Sequence, residues 1–305
     1  GATLTVGGGA YAANITLSTV TGTASGTASN LTINTTGTVS ASTIGTDIGT
    51  VTVTQSGGTT FSSTVNAATV TLTNTTGTIT FNGALTATTL NTATQGYNVA
   101  INAGGTIANA VTFSNTGTVT LGDASGDSVT FTGGVTATAP SQVNLAGTVQ
   151  STNTAISLGD AGTPVVLTAN TTLSGNTSGN ITLGGTVNGG FTLTLNTTGT
   201  TTLSGVIGGS NALTSLTTNT GGTVAINTTA ITTTGAQTFG ENATLGADVT
   251  LTSNSSGNIS FAGTVESTTS ARALTVNTSG TTTFTGTVGA TSPYLASLTT
   301  DSGGT

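Results

Sequence analysis

LTVNTSGTTTFTGTVG, at residues 274–289, repeats with few changes the stretch LTLNTTGTTTLSGVIG at residues 193–208. In both stretches apolar residues alternate with threonine or serine, and an Asn-Thr-Thr/Ser-Gly tetrapeptide separates two such runs. Alternation of apolar with β-branched residues is typical of strands that bury one face. A polar tetrapeptide that ends in glycine is typical of a turn. The pattern predicts a strand, a turn and a second strand, built without groups that perform acid, base or metal chemistry.

The strand–turn–strand unit recurs along the chain with a period near twenty residues. Another copy is LTINTTGTVS, which starts at Leu31. Turn glycines follow one another at steps of 19 to 23 residues, but a step of 35 residues separates Gly222 from Gly257. The long step indicates an insertion or a missed turn. A second repeat of about eighty residues is superposed on the first, since residues 193–208 and 274–289 are 81 apart.

This periodicity decides the fold class. A unit of about twenty residues cannot bury an apolar face alone, whereas a stack of such units buries a continuous core. The sequence therefore predicts an all-β fold, a parallel β-helix (β-solenoid) with about 20 residues per coil and no significant helix. Coils about 4.8 Å apart in parallel register place like side chains on like. We expect one continuous solenoid segment over residues 1–305, excised from a longer repetitive chain.

Within residues 274–289 the alternation assigns each side chain to a face. The core face is predicted to contain Leu274, Val276, Phe284 and Val288. The outer face is predicted to contain Thr275, Thr281, Thr283 and Thr285. We expect Gly280 and Gly286 to adopt positive φ at the corners, and Asn277 to cap the turn or to form a ladder along the axis.

Composition excludes several partners. Only 3% of the residues are charged, against about 25% in typical soluble domains, but the strand-like alternation of the apolar residues argues against disorder. Arg272 is the only basic residue, and the formal charge of -7 repels nucleic acid. No apolar run approaches the roughly 18 residues of a transmembrane helix. The chain has no cysteine, so it has no disulfide and no thiolate metal site.

The groups needed for catalysis are sparse. The chain has no histidine and no lysine to activate its serines and threonines. The cluster GDASGDS at residues 122–128 lacks the ligand pattern of a calcium loop and is interpreted as a solvated turn. We therefore expect a protein that is not an enzyme, with no catalytic, cofactor-binding or metal-binding residue and no cofactor. The scattered carboxylates are Asp47, Asp123, Asp127, Asp160, Glu241, Asp248, Glu266 and Asp301.

Units of the form LTxNTTGTxTLxGxV resemble the stalk repeats of large bacterial surface proteins. These are filamentous-haemagglutinin-like adhesins, autotransporter passengers and related β-strand-repeat proteins. The resemblance covers the whole segment and is compositional. It implies a secreted, right-handed parallel β-helix that serves as a fibre or adhesin on the bacterial cell surface, and it brings no active-site motif with it.

Three functions follow from this pattern. The favoured function is that of a structural or adhesive extracellular filament with a rigid solenoid shaft. Its expected partners are further repeats or copies of itself, joined end to end, and also surface or matrix glycans. The first alternative is ice binding, which requires the same Thr-x-Thr pair on every coil of equal length. The second is a carbohydrate-active β-helix enzyme, which requires paired carboxylates in a groove with exposed aromatic rings. The candidates for that groove are Asp123 with Asp127 or Asp160, and Tyr11, Tyr97 and Tyr294.

Overall fold

The computed structural model describes residues 1–23, 26–301 and 303–304. Regular secondary structure in these ranges consists of 33 strands, with no helix. The chain folds as an all-β parallel β-solenoid with about 22 residues per turn. This confirms the predicted fold class, with coils slightly longer than expected. The chain comprises two compact units, residues 1–149 and residues 150–305; the continuity of one segment over residues 1–305 stays a prediction.

The first unit contains fifteen complete strands and the start of a sixteenth, which crosses the division. They are β1 (Thr3–Gly7), β2 (Ile15–Leu17), β3 (Ser29–Asn34), β4 (Val39–Ala41), β5 (Ile48–Ser56), β6 (Thr59–Phe61), β7 (Val65–Thr75), β8 (Thr78–Phe81), β9 (Leu85–Thr92), β10 (Asn98–Ile101), β11 (Gly105–Ile107), β12 (Val111–Thr112), β13 (Thr118–Leu121), β14 (Ser128–Phe131), β15 (Val135–Ala137) and β16 (Gln142–Ser151).

Strands of the first unit form three parallel stacks. One contains β2, β4, β6, β8, β10, β13 and the start of β16. The second contains β1, β3, β5 and the later parts of β7 and β9. The third contains the starts of β7 and β9 with β11 and β14. Because Val51 pairs with Val70 and Val70 with Leu90, aliphatic side chains lie over aliphatic side chains in a buried core.

The second unit contains the end of β16 and seventeen further strands. They are β17 (Ile156–Leu158), β18 (Val165–Ser174), β19 (Ile181–Leu183), β20 (Val187–Asn188), β21 (Thr192–Asn196), β22 (Thr200–Leu203), β23 (Ser215–Thr218), β24 (Thr223–Ile226), β25 (Ala230–Thr233), β26 (Gln237–Phe239), β27 (Asn242–Leu245), β28 (Val249–Ser253), β29 (Ile259–Phe261), β30 (Val265–Ser267), β31 (Ala273–Asn277), β32 (Thr282–Phe284) and β33 (Ser297–Thr300).

These strands also form three parallel stacks. Stack 1 contains the end of β18, then β21, β23, β26, β29 and β32. Stack 2 contains β17, β19, β22, β24, β27 and β30. Stack 3 contains the start of β18, then β20, a bridge through Ile207, β25, β28, β31 and β33. Each turn of this unit thus contributes one segment to each stack.

The eighty-residue sequence repeat is out of step with the coils. Residues 193–208 begin on stack 1 and pass to stack 2, through β21 and β22. Residues 274–289 begin on stack 3 and pass to stack 1, through β31 and β32. The two copies are 81 residues apart, and about 22 residues make a turn, so the offset is not a whole number of turns. The same strand–turn–strand sequence therefore serves two different corners of the coil.

Side-chain directions in this repeat follow the predicted alternation, except that Val288 at its end is only partly buried. Leu274 and Val276 are fully buried, whereas Thr283 is exposed. Phe284 is partly exposed, but its ring stacks on that of Phe261 with centroids 5.3 Å apart. Phe261 stacks in turn on Phe239 at 4.6 Å. A ladder of three phenyl rings on three successive coils therefore fills the core behind stack 1.

The predicted positive φ at Gly280 and Gly286 is wrong. Neither residue lies in the left-handed region. A Cβ at Gly286 would lie 2.3 Å from the carbonyl oxygen of Gly263, and one at Gly280 would lie 2.5 Å from that of Ser256. These glycines are needed because the turns of successive coils approach each other closely.

Asparagine side chains at the corners join one coil to the next. The Oδ1 atom of Asn180 accepts the N–H of Thr200 at 2.8 Å, and that of Asn258 accepts the N–H of Thr281 at 2.9 Å. In the first unit, Asn102 donates its side-chain amide to Asn82 Oδ1 at 2.9 Å. Because each of these bonds joins residues about one turn apart, the asparagines strengthen the stacking at the corners.

In the described residues, no helix has the length and apolar character needed to cross a bilayer.

Candidate functional site

Of the carboxylates considered for a sugar-cleaving groove, Asp127 and Asp160 cap backbone N–H groups. Asp127 Oδ2 accepts the N–H groups of Asp123 and Ala124 at 2.9 and 2.7 Å, as expected of a capped turn. Partial desolvation raises the pKa of the Asp123 carboxyl, and the hydrogen bond to Asp127 and the charge of Asp127 raise it further. Asp160 lies in the second unit, and its Oδ1 accepts the N–H of Gly162 at 2.8 Å.

The aromatic residues considered for a sugar platform differ in exposure. Tyr97 is 0% exposed, whereas Tyr11 is 50% and Tyr294 is 62% exposed. The Tyr97 hydroxyl accepts the N–H of Ala93 and donates to the carbonyl oxygen of Leu72, each at 2.9 Å. Burial raises the pKa of Tyr97 to about 12. Tyr97 is therefore a structural residue that joins two coils, not an exposed platform.

A different acidic residue, Glu241, lies in a special position. The strand registers around the corner between stack 1 and stack 2 align one residue from each of six coils. Five of the six are glycines and the other is Glu241. The column, in chain order, is Gly179, Gly199, Gly222, Glu241, Gly263 and Gly286.

The corner changes length at this residue. Four residues, 219–222, connect β23 to β24, whereas two residues, Gly240 and Glu241, connect β26 to β27 one coil later. A short corner stacked on a long one leaves a cleft of about 240 Å³. The cleft is lined by Gly221, Gly222, Gly240, Glu241, Asn242, Ala262 and Gly263.

The Glu241 carboxylate is buried without a partner. The residue is 3% exposed, and neither Oε1 nor Oε2 makes a hydrogen bond to the described residues. Burial raises the pKa of Glu241 to about 7, and the nearby Thr218 hydroxyl lowers it by a smaller amount. The Thr218 hydroxyl oxygen itself accepts the N–H of Gly240 at 3.2 Å. At neutral pH a substantial fraction of the Glu241 carboxyl groups is therefore protonated.

Other oxygen atoms converge beside Glu241. A Cβ built on Gly222 would lie 3.0 Å from Glu241 Oε2, 2.5 Å from the carbonyl oxygen of Gly199 and 3.1 Å from that of Thr197. Only glycine leaves room for these three oxygens at position 222. In the described residues no group of three or more acidic, histidine or cysteine side chains gathers, so a metal ion here would depend on backbone oxygens.

In the sequence analysis Glu241 was treated only as one of the scattered carboxylates. An alignment of successive coils nevertheless shows that it stands where other coils have glycine. The stretch FGE at residues 239–241 occupies the place of FAG at 261–263 and FTG at 284–286. Its carboxylate replaces the expected glycine, which explains part of the long step after Gly222. Gly257 belongs to a different corner, where a Cβ would lie 2.1 Å from the carbonyl carbon of Gly235.

Outside the cleft, stack 1 presents a continuous row of hydroxyl groups. The row, in chain order, is Thr172, Thr194, Thr217, Thr238, Ser260 and Thr283. These side chains point away from the core and are partly or fully exposed. Two residues further along, the corresponding positions on β18 and β21 are Ser174 and Asn196, so the hydroxyl pair needed for a Thr-x-Thr array is not kept from coil to coil.

No family model matches this chain, and searches of the curated proteins and of the solved structures likewise found no match.

Proposed function

We propose that the chain is a structural or adhesive segment of an extracellular fibre on a bacterial cell surface, and that it is not an enzyme. The solenoid serves as a rigid shaft or stalk. Further repeats, or copies of the same chain end to end, are its main partners, and surface or matrix glycans are the partners of its outer faces.

One observation carries the proposal, namely the stacking of like residues on successive coils. Hydroxyl side chains, five threonines and Ser260, lie over one another across six coils of stack 1, and Phe239, Phe261 and Phe284 do so beneath them. In-register stacking of this kind makes each coil a template for the next. Such a structure resists bending and extension, which suits a shaft.

Electron microscopy of the native material tests this function. We expect fibres, with fibre diffraction that contains a reflection near 4.8 Å along the fibre axis, the spacing of stacked strands. Val224→Pro removes a ladder N–H from the centre of stack 2 and is expected to abolish both the fibres and the reflection. Compact, isolated particles from the unaltered protein would contradict the proposal.

A second candidate function, ice binding, is favoured by the hydroxyl row of stack 1. Regularly spaced threonines on a flat strand surface are able to order water. The absence of a matching second row on β18 and β21 places this function behind the first. A thermal hysteresis assay tests ice binding, with Thr217→Lys as the matched variant. Hysteresis that is present in the unaltered protein and lost in the variant would support ice binding. Absence of hysteresis in the unaltered protein would exclude ice binding.

A further inference from the structure

We propose that the cleft at Glu241 binds a hard, oxygen-seeking cation of the Ca²⁺ class, held by the Glu241 carboxylate, by backbone carbonyl oxygens of the neighbouring corners and by water. This site is independent of the proposed fibre function. It rests on the geometry of one corner in the second unit.

The first argument is that the fold does not require a carboxylate here. Five other coils place glycine in the same column. An ionised side chain that is 3% exposed and lacks a partner destabilises the folded state. A group kept in such an unfavourable position marks a functional site when a ligand supplies the missing partner.

The second argument concerns the sign and hardness of the ligand. The residues that line the cleft are glycine, alanine, asparagine and Glu241, so the lining has a negative charge and no positive one. Carbonyl oxygens of Gly199 and Thr197 lie on the same side of Gly222 as Glu241 Oε2. Carboxylate and carbonyl oxygens are the ligands that Ca²⁺ prefers, and its coordination shell tolerates irregular geometry. Mg²⁺ requires near-ideal octahedral geometry and is expected to bind more weakly.

A competing explanation is that Glu241 only fills the space left by the short corner. Glu241→Gln separates the two explanations, because glutamine keeps the volume and removes the charge. The variant is expected to fold, since it no longer buries an ionisable group without a partner.

The experiment is a calcium titration of the complete chain by calorimetry and thermal denaturation at pH 8, after removal of metal ions by chelation. We expect one Ca²⁺ per chain, with a Kd on the order of 10⁻⁴ to 10⁻³ M as in extracellular calcium modules. The Tm should rise by about 3 °C at ten times the Kd. Glu241→Gln should show neither binding nor a shift, and Mg²⁺ at equal ionic strength should give a smaller shift.

Asp123→Asn is the matched control, since Asp123 belongs to the acidic loop at residues 122–128 and is exposed. It should keep the full calcium response. The proposal is overturned if Glu241→Gln responds to Ca²⁺ like the unaltered protein, if the response is lost in Asp123→Asn instead, or if the unaltered protein binds no Ca²⁺ at about 10 mM.

Discussion

Thr278 donates its hydroxyl to the carbonyl oxygen of Gly257, one coil earlier in the chain, at 2.7 Å. The Thr278 hydroxyl oxygen in turn accepts the N–H of Gly280 at 3.0 Å. Thr197 makes the equivalent pair of contacts, donating to Gly179 at 2.7 Å and accepting from Gly199 at 2.9 Å. The first threonine of the Asn-Thr-Thr/Ser-Gly turn is thus a buried link between coils and not a surface solubiliser.

Replacement of this buried threonine should destabilise the solenoid. Thr278→Val keeps the shape but leaves the Gly257 carbonyl and the Gly280 N–H without their partner, which costs about 1–3 kcal/mol. We expect a lower midpoint of guanidinium denaturation. Thr283→Val, on the exposed face of stack 1, is the control and should change the stability by about 0.5 kcal/mol or less. Equal effects of the two variants would contradict a structural role for the Thr278 hydroxyl.

The close approach of the corners predicts which glycines tolerate a methyl group. At Gly286 a Cβ would meet the Gly263 carbonyl oxygen at 2.3 Å, whereas at Gly190 nothing lies within 4 Å and φ is not positive. Gly286→Ala should therefore lower the Tm markedly, because the coils must separate locally. Gly190→Ala should leave the Tm unchanged or raise it, since alanine restricts the unfolded chain by about 0.4–1 kcal/mol. The reverse order would show that stacking distance does not select these glycines.

The phenyl ladder behind stack 1 predicts a larger effect in the core. Phe261 has a stacked ring on each side, at 4.6 Å and 5.3 Å. Phe261→Ala removes both stacking contacts and leaves a cavity, which should destabilise the protein by about 3–5 kcal/mol. Phe191, which is 36% exposed, is the matched control, and Phe191→Ala should have a small effect. Chemical denaturation of both variants measures the difference, and similar losses would argue against a shared aromatic core.

The alternation of apolar and hydroxyl residues was sufficient to predict the fold class, because each strand buries one face and the unit is too small to fold alone. It was also sufficient to assign Leu274 and Val276 to the core. The corners were less predictable, since the turn sequence does not specify whether glycine serves a positive φ or a close approach. At Gly280 and Gly286 the glycine is required by the close approach of a neighbouring backbone. That approach depends on the adjacent coil, which the turn sequence itself does not describe.

The Glu241 cleft could not be predicted from the sequence, because it also depends on how neighbouring coils stack. Its position depends on the stacking of a four-residue corner on a two-residue corner, and those lengths follow from strand registers that the sequence does not state. Alignment of FGENATL with FAGTVES reveals a glutamate in place of glycine. That substitution alone does not show that the carboxylate is buried without a partner, which is what gives the residue its chemical interest.

Burial of Glu241 predicts a specific pH dependence of stability in the presence of a chelator. The pKa of Glu241 is raised from 4.5 to about 7 in the folded state, so the folded chain binds more protons than the unfolded chain between these values. Stability should therefore fall as the pH rises from about 4.5 to about 7, and should level off above this range. The expected loss is about 3 kcal/mol, the free energy that corresponds to the shift.

The comparison with Glu241→Gln isolates this effect from the other acidic groups, because those groups are the same in both proteins. The difference between the denaturation midpoints of the two proteins should be small at pH 4.5 and should grow in favour of glutamine up to pH 7–8. Glu266→Gln is the control, since the Glu266 carboxylate accepts the N–H groups of Ala290 and Thr291 at 3.1 Å; this variant should keep the fall in stability with rising pH that is expected of the unaltered protein. Parallel pH profiles for the unaltered protein and Glu241→Gln would mean that the Glu241 carboxylate is solvated in the folded state, and the cleft would then lose the property that distinguishes it from the other corners.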